Sequence, residues 1–256
     1  MFKADPGAAM RRDWDERARK DAFHYVATWR KDWTVEDFQE SGEQEYLKLV
    51  QPVLNQFQFA AQRASMLEVG CGAGRMTGSF ARRFGTVHAL DISIEMQNLA
   101  KQSLAGFENI RWVLGDGTSL ALIPSNSVDF VFSYLVLQHL PTEELALTQA
   151  REMLRVLSGC GVFLFQFNGE KLPTMNWKGR LAWGAVDVLW SLNLRGLSQT
   201  AARWMGFDPA MAGKSWHGAS LRADRVEQTI RAAGASTVQI TGGDTSMAWC
   251  WGRKHA

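Results

Sequence analysis

The sequence predicts an α/β fold with a seven-stranded, mostly parallel sheet, and three observations support this. Five short apolar segments between residues 65 and 167 alternate with segments of helical periodicity. Strands that are separated by helices are typical of parallel pairing within one sheet. Two further strand segments, residues 237–240 and 246–251, are joined by a short glycine-rich stretch, which favours an antiparallel hairpin at the end of the sheet.

The predicted elements follow this alternation along the chain. Apolar residues three and four positions apart predict a helix over residues 12–29. A second helix is expected over residues 43–50, opened by a capping box at Ser41 and bent or broken by Pro52. The core strands are expected at residues 65–70, 86–91, 110–114, 128–133 and 161–167. The helices of the core are expected at residues 74–84, 94–104, 142–157 and 223–233.

The chain is expected to divide into four consecutive parts. A helical N-terminal cap (residues 1–62) precedes the α/β core (residues 63–168), which residues 220–256 complete with a helix and the hairpin. Residues 169–219 interrupt the strand and helix alternation, and we interpret them as a helical insertion. Of the 11 tryptophans in the chain, five lie between residues 170 and 219, around expected helices at residues 183–190 and 197–205.

Composition excludes several classes of function. A net charge of +2 is too small to favour nucleic acid or an anionic membrane. The most apolar run, residues 130–137, is far shorter than the roughly 20 residues that span a bilayer, so stable membrane insertion is not expected. No apolar signal segment follows the N-terminus. The three cysteines are widely separated, which predicts neither disulfides nor a metal site and favours a cytoplasmic protein.

The strongest motif is a glycine turn that follows the first core strand. It reads Glu68-Val-Gly-Cys-Gly-Ala-Gly74, and glycines allow a ligand to approach the backbone at a helix start. The dinucleotide fingerprint requires a third glycine at position 75, where this chain has Arg75. A carboxylate at Glu68 also repels a phosphate and suits a ligand that carries an ammonium and a sulfonium.

This motif resembles the first motif of class I S-adenosylmethionine-dependent methyltransferases of the small-molecule type, which implies a Rossmann-like fold. The resemblance implies that Asp91 binds the ribose hydroxyls, that Ile92 packs on the adenine and that Asp116 accepts the adenine amino group. Residues 128–141 resemble the fourth-strand motif, whose tip meets the methionine moiety. The cofactor-binding residues implied for S-adenosyl-L-methionine are Tyr25, Glu68, Gly70, Cys71, Gly72, Gly74, Arg75, Asp91, Ile92, Met96, Asp116, Gly117, Ser133 and Tyr134.

Several of these residues have a second interpretation. Tyr25 either contacts the cofactor carboxylate or packs in the core, and Arg75 either meets a carboxylate or lies on a helix surface. Cys71 is expected to line the site as a small residue and not to act as a nucleophile. Isolated glycine turns are also often structural, and an acid such as Asp91 can cap a helix.

Catalysis of methyl transfer requires alignment of the acceptor atom, the methyl group and the sulfur, and an oxygen acceptor can also need a general base. Candidate bases are His139 and His217, with His24 and Tyr25 considered beside them. His139 follows the fourth strand, and its alternative role is structural hydrogen bonding at a helix start. His217 is expected where the insertion rejoins the core, and a surface position is its alternative.

The predicted function is methyl transfer to an oxygen or nitrogen of a small, apolar or aromatic acceptor. The fourth motif lacks the Asn/Asp-Pro-Pro-Tyr sequence of enzymes that methylate DNA bases or glutamine, and no nucleic acid partner is expected. The tryptophan-rich insertion is interpreted as a lid over the acceptor, with packing, a homodimer face or lipid contact as alternatives. The alternative functions are a nicotinamide-dependent oxidoreductase and a non-catalytic cofactor-binding or scaffold protein.

Overall fold

The computed structural model describes residues 6–169, 184–186, 188–190, 192, 194–205, 208, 215–216 and 218–256. Its seven-stranded sheet has the order β3-β2-β1-β4-β5-β7-β6. The first five strands are parallel, and β7 is antiparallel to both of its neighbours. The predicted fold class is confirmed. The strands are β1 Ser65–Val69, β2 Thr86–Asp91, β3 Ile110–Leu114, β4 Val128–Ser133, β5 Leu157–Phe167, β6 Ala235–Thr241 and β7 Ala248–Lys254.

Helices surround the sheet on both faces. Residues 184–186 and 188–190 of the insertion are helical as well. No helix in the described ranges combines the length and apolarity that crossing a bilayer requires. The α-helices are α1 Pro6–Val26, α2 Val35–Glu45, α3 Gln51–Gln56, α4 Thr77–Ala81, α5 Ile94–Ser103, α6 Glu143–Val156, α7 Arg195–Trp204 and α8 Ala223–Ala232.

The expected helix at residues 43–50 is wrong in its start and in its type. The helix begins at Val35, because the Thr34 side chain caps it by accepting from the backbone N–H of Asp37. The Ser41 hydroxyl instead donates to the Phe38 carbonyl within the same helix, so it caps nothing. Residues Tyr46–Val50 continue as a π-helical turn into α3, whose first turn accommodates Pro52.

Other boundaries differ from expectation as well: α1 spans Pro6–Val26 and not residues 12–29, and two further differences concern the core. The helix expected at residues 74–84 is confined to Thr77–Ala81, because the glycine turn extends over the preceding residues. The fifth strand begins at Leu157, directly after α6, where the sequence predicts a start at Gly161. Both errors concern glycine-containing segments, whose backbone conformation hydrophobic spacing does not determine.

The sheet is buried on both faces. Phe163 and Phe165 of β5 belong to one apolar cluster, with residues of α6 and α8, whereas Val162 and Leu164 belong to a second cluster. Successive strand side chains point to opposite faces, so this alternation places helices on either side. Strand order reverses between β1 and β4, where Val69 pairs with both Leu90 and Ser133. Ligands of open α/β sheets bind at such a reversal, beyond the carboxyl ends of the strands.

Candidate active site

A cavity of about 390 Å³ lies at this reversal, beyond the ends of β1, β2 and β4, and α1 covers one side of it. Three predicted residues, Gly74, Asp116 and Ser133, are not part of its lining. His217 lies outside the described residues. The cavity brings together most of the predicted site: Tyr25, Glu68, Gly70, Cys71, Gly72, Arg75, Asp91, Ile92, Met96, Gly117, Tyr134 and His139.

The glycine turn has the backbone conformation that the motif predicts. Gly70, Gly72 and Gly74 have φ values of 80°, 53° and 84°, in the left-handed region that side chains rarely adopt. A Cβ at Gly70 would lie 2.1 Å from Val136. A Cβ at Gly74 would lie 3.0 Å from Ala100 of α5, so this glycine permits close helix packing. The first two glycines thus form the cavity wall, and the third fits the turn against α5.

Asp91 lies at the tip of β2 and is 8% exposed. Its two carboxylate oxygens accept hydrogen bonds from the backbone N–H of Gly72 at 2.7 Å and of Ser93 at 2.8 Å. Burial nevertheless raises its pKa to about 6. These bonds hold the carboxylate in one orientation between the glycine turn and the start of α5.

Glu68 adds a second buried acid to the cavity wall. Its Oε2 accepts a hydrogen bond from the Thr77 hydroxyl at 2.6 Å. Burial raises the pKa of Glu68 to about 7, and the negative charge of Asp91 acts in the same direction. Burial makes the ionised forms of both carboxyl groups unfavourable. A cation bound beside them would stabilise those ionised forms, so the cavity favours a positively charged ligand.

Arg75 is the buried cation of the site. It is 4% exposed, which excludes its alternative position on a helix surface. Its guanidinium lies 5.1 Å from the Trp29 ring and 5.5 Å from the Tyr134 ring, while Nε and Nη1 have no hydrogen-bond partner among the described residues. Burial lowers the pKa of Arg75. A buried guanidinium with donors to spare suits a carboxylate ligand, which can accept two parallel hydrogen bonds.

The predicted residues outside the lining shape the site indirectly. The Asp116 carboxylate accepts from the backbone N–H groups of Thr118 and Ser119, at 2.7 and 2.8 Å. It thereby closes a turn whose Gly117 and Ser119 line the cavity. The Ser133 hydroxyl donates to the Val69 carbonyl at 3.2 Å and joins the tips of β4 and β1.

Aromatic residues also line the cavity around His139. Its ring centroid lies 5.1 Å from those of Trp14 and Trp216. His139 Nδ1 lies 2.8 Å from the Trp216 carbonyl oxygen. The Tyr25 ring is 6.1 Å from Trp216, and its hydroxyl donates to Asp208 at 2.9 Å. His24 is not in the lining; its Nδ1 lies 3.1 Å from the Arg30 carbonyl oxygen.

Sequence reasoning missed 18 of the 30 lining residues. Trp14 lies on the predicted first helix, but its spacing does not show which partner the helix meets. Gln138 stands beside His139 in a motif that was interpreted for its histidine. Met10, Gln149 and Met247 lie outside every motif described above. The lining residues missed include Met10, Trp14, Ser119, Gln138, Gln149, Trp216 and Met247.

Comparison with known proteins supports the interpretation of the core. Residues 67–165 match a family model described as a methyltransferase domain. A malonyl-[acyl-carrier protein] O-methyltransferase of Methylococcus capsulatus is 32% identical over 126 residues, which are 48% of this chain and 43% of that protein. A phosphoethanolamine N-methyltransferase of Triticum aestivum is 34% identical over 119 residues, 44% of this chain and 24% of that protein. The chain thus spans less than half the length of these curated relatives.

A solved structure resembles the chain over nearly its whole length. It is a magnesium protoporphyrin IX methyltransferase from Synechocystis PCC 6803 with bound S-adenosylmethionine, with a TM-score of 0.60 and 15% identity over 98% of each chain. At this identity the likeness concerns the fold. The fold and the match over residues 67–165 resemble those of S-adenosylmethionine-dependent methyltransferases. Residues 67–165, which match the methyltransferase-domain model, carry the glycine turn and Asp91.

Proposed function

We propose that the protein transfers a methyl group from S-adenosyl-L-methionine to an oxygen or nitrogen of a small, largely apolar acceptor. The observation that carries this proposal is the convergence of Glu68, Asp91 and Arg75 on one cavity that the aromatic residues around His139 also line. When bound, the cofactor supplies an activated methyl group on a sulfonium.

The part of the cavity formed by Glu68, Asp91 and Arg75, here called the donor half, would hold the cofactor. The charges of these side chains are complementary to those of the cofactor. Asp91 would accept hydrogen bonds from both ribose hydroxyls, because its orientation is already fixed by Gly72 and Ser93. Glu68 would stabilise the positive charge of the ammonium and sulfonium groups. Arg75 would bind the methionine carboxylate with the donors that have no described partner.

The adenine would lie at the side of the cavity formed by apolar and backbone groups. Ile92, Met10 and Met96 line this side together with Gly117 and Ser119. A Cβ at Gly117 would lie 2.3 Å from Ile92, so the turn held by Asp116 approaches that side chain closely. A flat ring inserted here would be packed by apolar groups.

The acceptor half would orient the nucleophile and exclude water. Trp14, Trp216 and Tyr25 offer an aromatic enclosure for a small acceptor. The carbonyl oxygen of Trp216 can only accept, so the hydrogen bond at 2.8 Å assigns the proton of neutral His139 to Nδ1. Nε2 then holds a lone pair and would take the acceptor proton as the new bond to the methyl carbon forms and the carbon–sulfur bond breaks.

The insertion would act as a lid through the residues that meet α1. Ser215 accepts a hydrogen bond from Arg17 and donates one to Asp13, and Asp208 binds Lys20 and Tyr25. These contacts hold the end of the insertion across the aromatic enclosure. A homodimer through residues 169–219 is a compatible assembly that size measurement in solution would test.

The cofactor assignment is tested by thermal unfolding with S-adenosylhomocysteine and, separately, with NAD. A ligand of the native state raises the melting temperature. We expect a rise with S-adenosylhomocysteine and none with NAD. A response to NAD alone would support the oxidoreductase alternative and refute the proposal.

Methyl transfer itself is tested with methyl-labelled S-adenosylmethionine and a panel of phenols, carboxylic acids, amines and thiols. The labelled methyl group should be transferred to an oxygen or nitrogen atom of the apolar acceptors in the panel. Binding of S-adenosylhomocysteine together with label transfer to thiols alone would contradict the acceptor class but leave the cofactor assignment intact.

A further inference from the structure

A buried glutamine lies beneath the acceptor half of the cavity and is not among the lining residues. Gln166 is on β5, is fully buried and makes three hydrogen bonds. Its Oε1 accepts from the backbone N–H of Leu135 at 3.2 Å, and its Nε2 donates to the Ser246 carbonyl at 2.8 Å. A backbone N–H can only donate and a carbonyl can only accept, so these two partners fix which end of the amide is oxygen.

The orientation of Gln166 determines that of its neighbour. Its Nε2 also donates to Oε1 of Gln138 at 3.1 Å, so the Gln138 amide must present its oxygen to Gln166. The Nε2 of Gln138 is then directed to Nε2 of His139, 3.3 Å away. This donor favours a lone pair on His139 Nε2. The Trp216 carbonyl requires a proton on Nδ1, so both sides of the ring select the same tautomer.

The backbone around this chain of amides has strained and close-packed features. Leu135, whose N–H binds Gln166, has a φ of 58°, which is costly for a residue with a side chain. Gly218 donates to the Gln138 carbonyl at 3.0 Å, and a Cβ there would lie 2.4 Å from that same oxygen. Gln166 therefore holds a strained turn from one side, while the segment that carries Trp216 packs on it from the other.

We propose that Gln166 is a positioning residue that sets the tautomer of His139 through Gln138, so that Nε2 carries a lone pair, which Gln138 yields to the acceptor when the acceptor binds. Gln166 acts without touching the substrate. Its catalytic consequence rests on the proposed function, whereas its effect on the histidine proton does not.

The test is the protonation of each ring nitrogen of His139, measured by nitrogen NMR on histidine-labelled protein at pH 8. The chain has five histidines, and the spectrum of a His139→Gln variant identifies the signals of His139. In the unaltered protein Nδ1 should carry the proton and Nε2 should not. A proton on Nε2 in that protein would overturn the proposal.

Gln166→Glu is the decisive variant. An ionised carboxylate at 166 still accepts from Leu135 but cannot donate to Gln138 or to the Ser246 carbonyl, so the Gln138 amide should rotate and present its oxygen to His139. Nε2 of His139 should then become protonated. Gln239→Glu, on the exposed side of β6, is the matched control and should leave the signals unchanged. An unchanged His139 in Gln166→Glu would refute the role of Gln166.

Gln138→Glu provides the same test if Gln166→Glu does not fold. Its carboxylate would accept from Gln166 with one oxygen and draw a proton onto His139 Nε2 with the other.

Turnover is the second measurement. With an acceptor from the panel, both variants should lower kcat by about 10-fold or more, at an unchanged Kd for S-adenosylhomocysteine. A protonated Nε2 with full turnover would refute the role of His139 as a general base. It would still establish that Gln166 and Gln138 set the tautomer of His139. Unchanged His139 signals in Gln138→Glu would refute the proposal that Gln138 sets the tautomer of His139.

Discussion

The donor half and the acceptor half of the cavity are built from contacts of very different range. Gly72 and Ser93 bind Asp91 across 19 and 2 positions of the chain, and Thr77 binds Glu68 across 9. In the acceptor half, His139 meets the Trp216 carbonyl across 77 positions, and Asp13 meets Ser215 across 202. The donor half is thus encoded by residues close in sequence, whereas the acceptor half depends on the packing of α1 and of the segment after β4 against the insertion.

This difference has a functional meaning. A cofactor that is shared by a whole family can be bound by a motif that folds locally, and loops grafted on that frame can then vary with the acceptor. The relatives compared above have names that specify an oxygen acceptor in one and a nitrogen acceptor in the other. The two halves should therefore respond differently to substitution.

The largest effect is expected at Asp91, in the donor half. Asp91→Ala should weaken S-adenosylhomocysteine binding by roughly 100-fold or more, because hydrogen bonds to a charged group contribute about 1.5–3 kcal/mol each. Calorimetric titration measures this loss. Asp116→Ala is the control, since its carboxylate shapes the turn from outside the lining, and it should weaken binding by about 10-fold or less. Equal losses of affinity in the two variants would contradict a direct contact between the Asp91 carboxylate and the ligand.

The acceptor half should separate turnover from cofactor binding. His139→Gln should lower kcat with a panel acceptor by about 100-fold or more, which is the usual contribution of a general base. Its Kd for S-adenosylhomocysteine should stay within about 2-fold, because the proposed contacts of His139 are to the acceptor. Loss of both properties together would mean that the two halves are one site, against the comparison drawn above.

The same contrast explains what the sequence predicts. The glycine turn, Asp91 and the strand order follow from residues that are close in sequence and have limited conformational options. Strands β2, β3 and β4 have the predicted bounds, because each is a short apolar segment between polar turns. Sequence spacing also predicts α6 within one residue at either end, where Thr142 caps it.

The rest depends on contacts that a linear pattern does not contain. Trp14, Gln166 and Trp216 belong to the acceptor half through partners far away in the chain. The capping box at Ser41 has the correct residue pattern, but the helix has already started at Thr34, about two turns earlier. Asp116 follows β3 as the motif requires, yet its carboxylate is used by its own turn.

The buried charge of the donor half should reduce the stability of the free protein. The folded pKa of Glu68 is about 7, above its ordinary value of 4.5, so the folded state binds its proton more tightly than the unfolded chain does. Stability is then lost as the pH rises from about 4.5 to 7. Glu68→Gln keeps an acceptor for Thr77 and removes this loss. It should raise the free energy of unfolding at pH 8 by on the order of 2–3 kcal/mol.

Urea unfolding at pH 8 and at pH 4 measures this effect, which should vanish at pH 4 because Glu68 is protonated in both states. Glu43 is the control, because its pKa shifts in the opposite direction: hydrogen bonding to Arg83 lowers the pKa of Glu43 to about 2. Glu43→Gln should therefore destabilise the protein at pH 8. A destabilised Glu68→Gln would show that its carboxylate stabilises the free fold and is not held ready for a cation.

The smallest effect is expected at the exposed ion pair that joins α1 to the insertion. Lys20 lies 2.8 Å from Asp208, which also accepts from Tyr25, and both charged groups are partly in water. Lys20→Ala should cost less than about 1 kcal/mol of unfolding free energy. It should still raise the KM for the acceptor slightly, because Asp208 then holds Tyr25 less firmly. Arg19→Ala removes a similarly exposed pair with Glu95 of α5, which has no contact with the insertion among the described residues, and should change stability alone. If both variants alter the acceptor KM alike, the contact between α1 and the insertion has no specific part in acceptor binding.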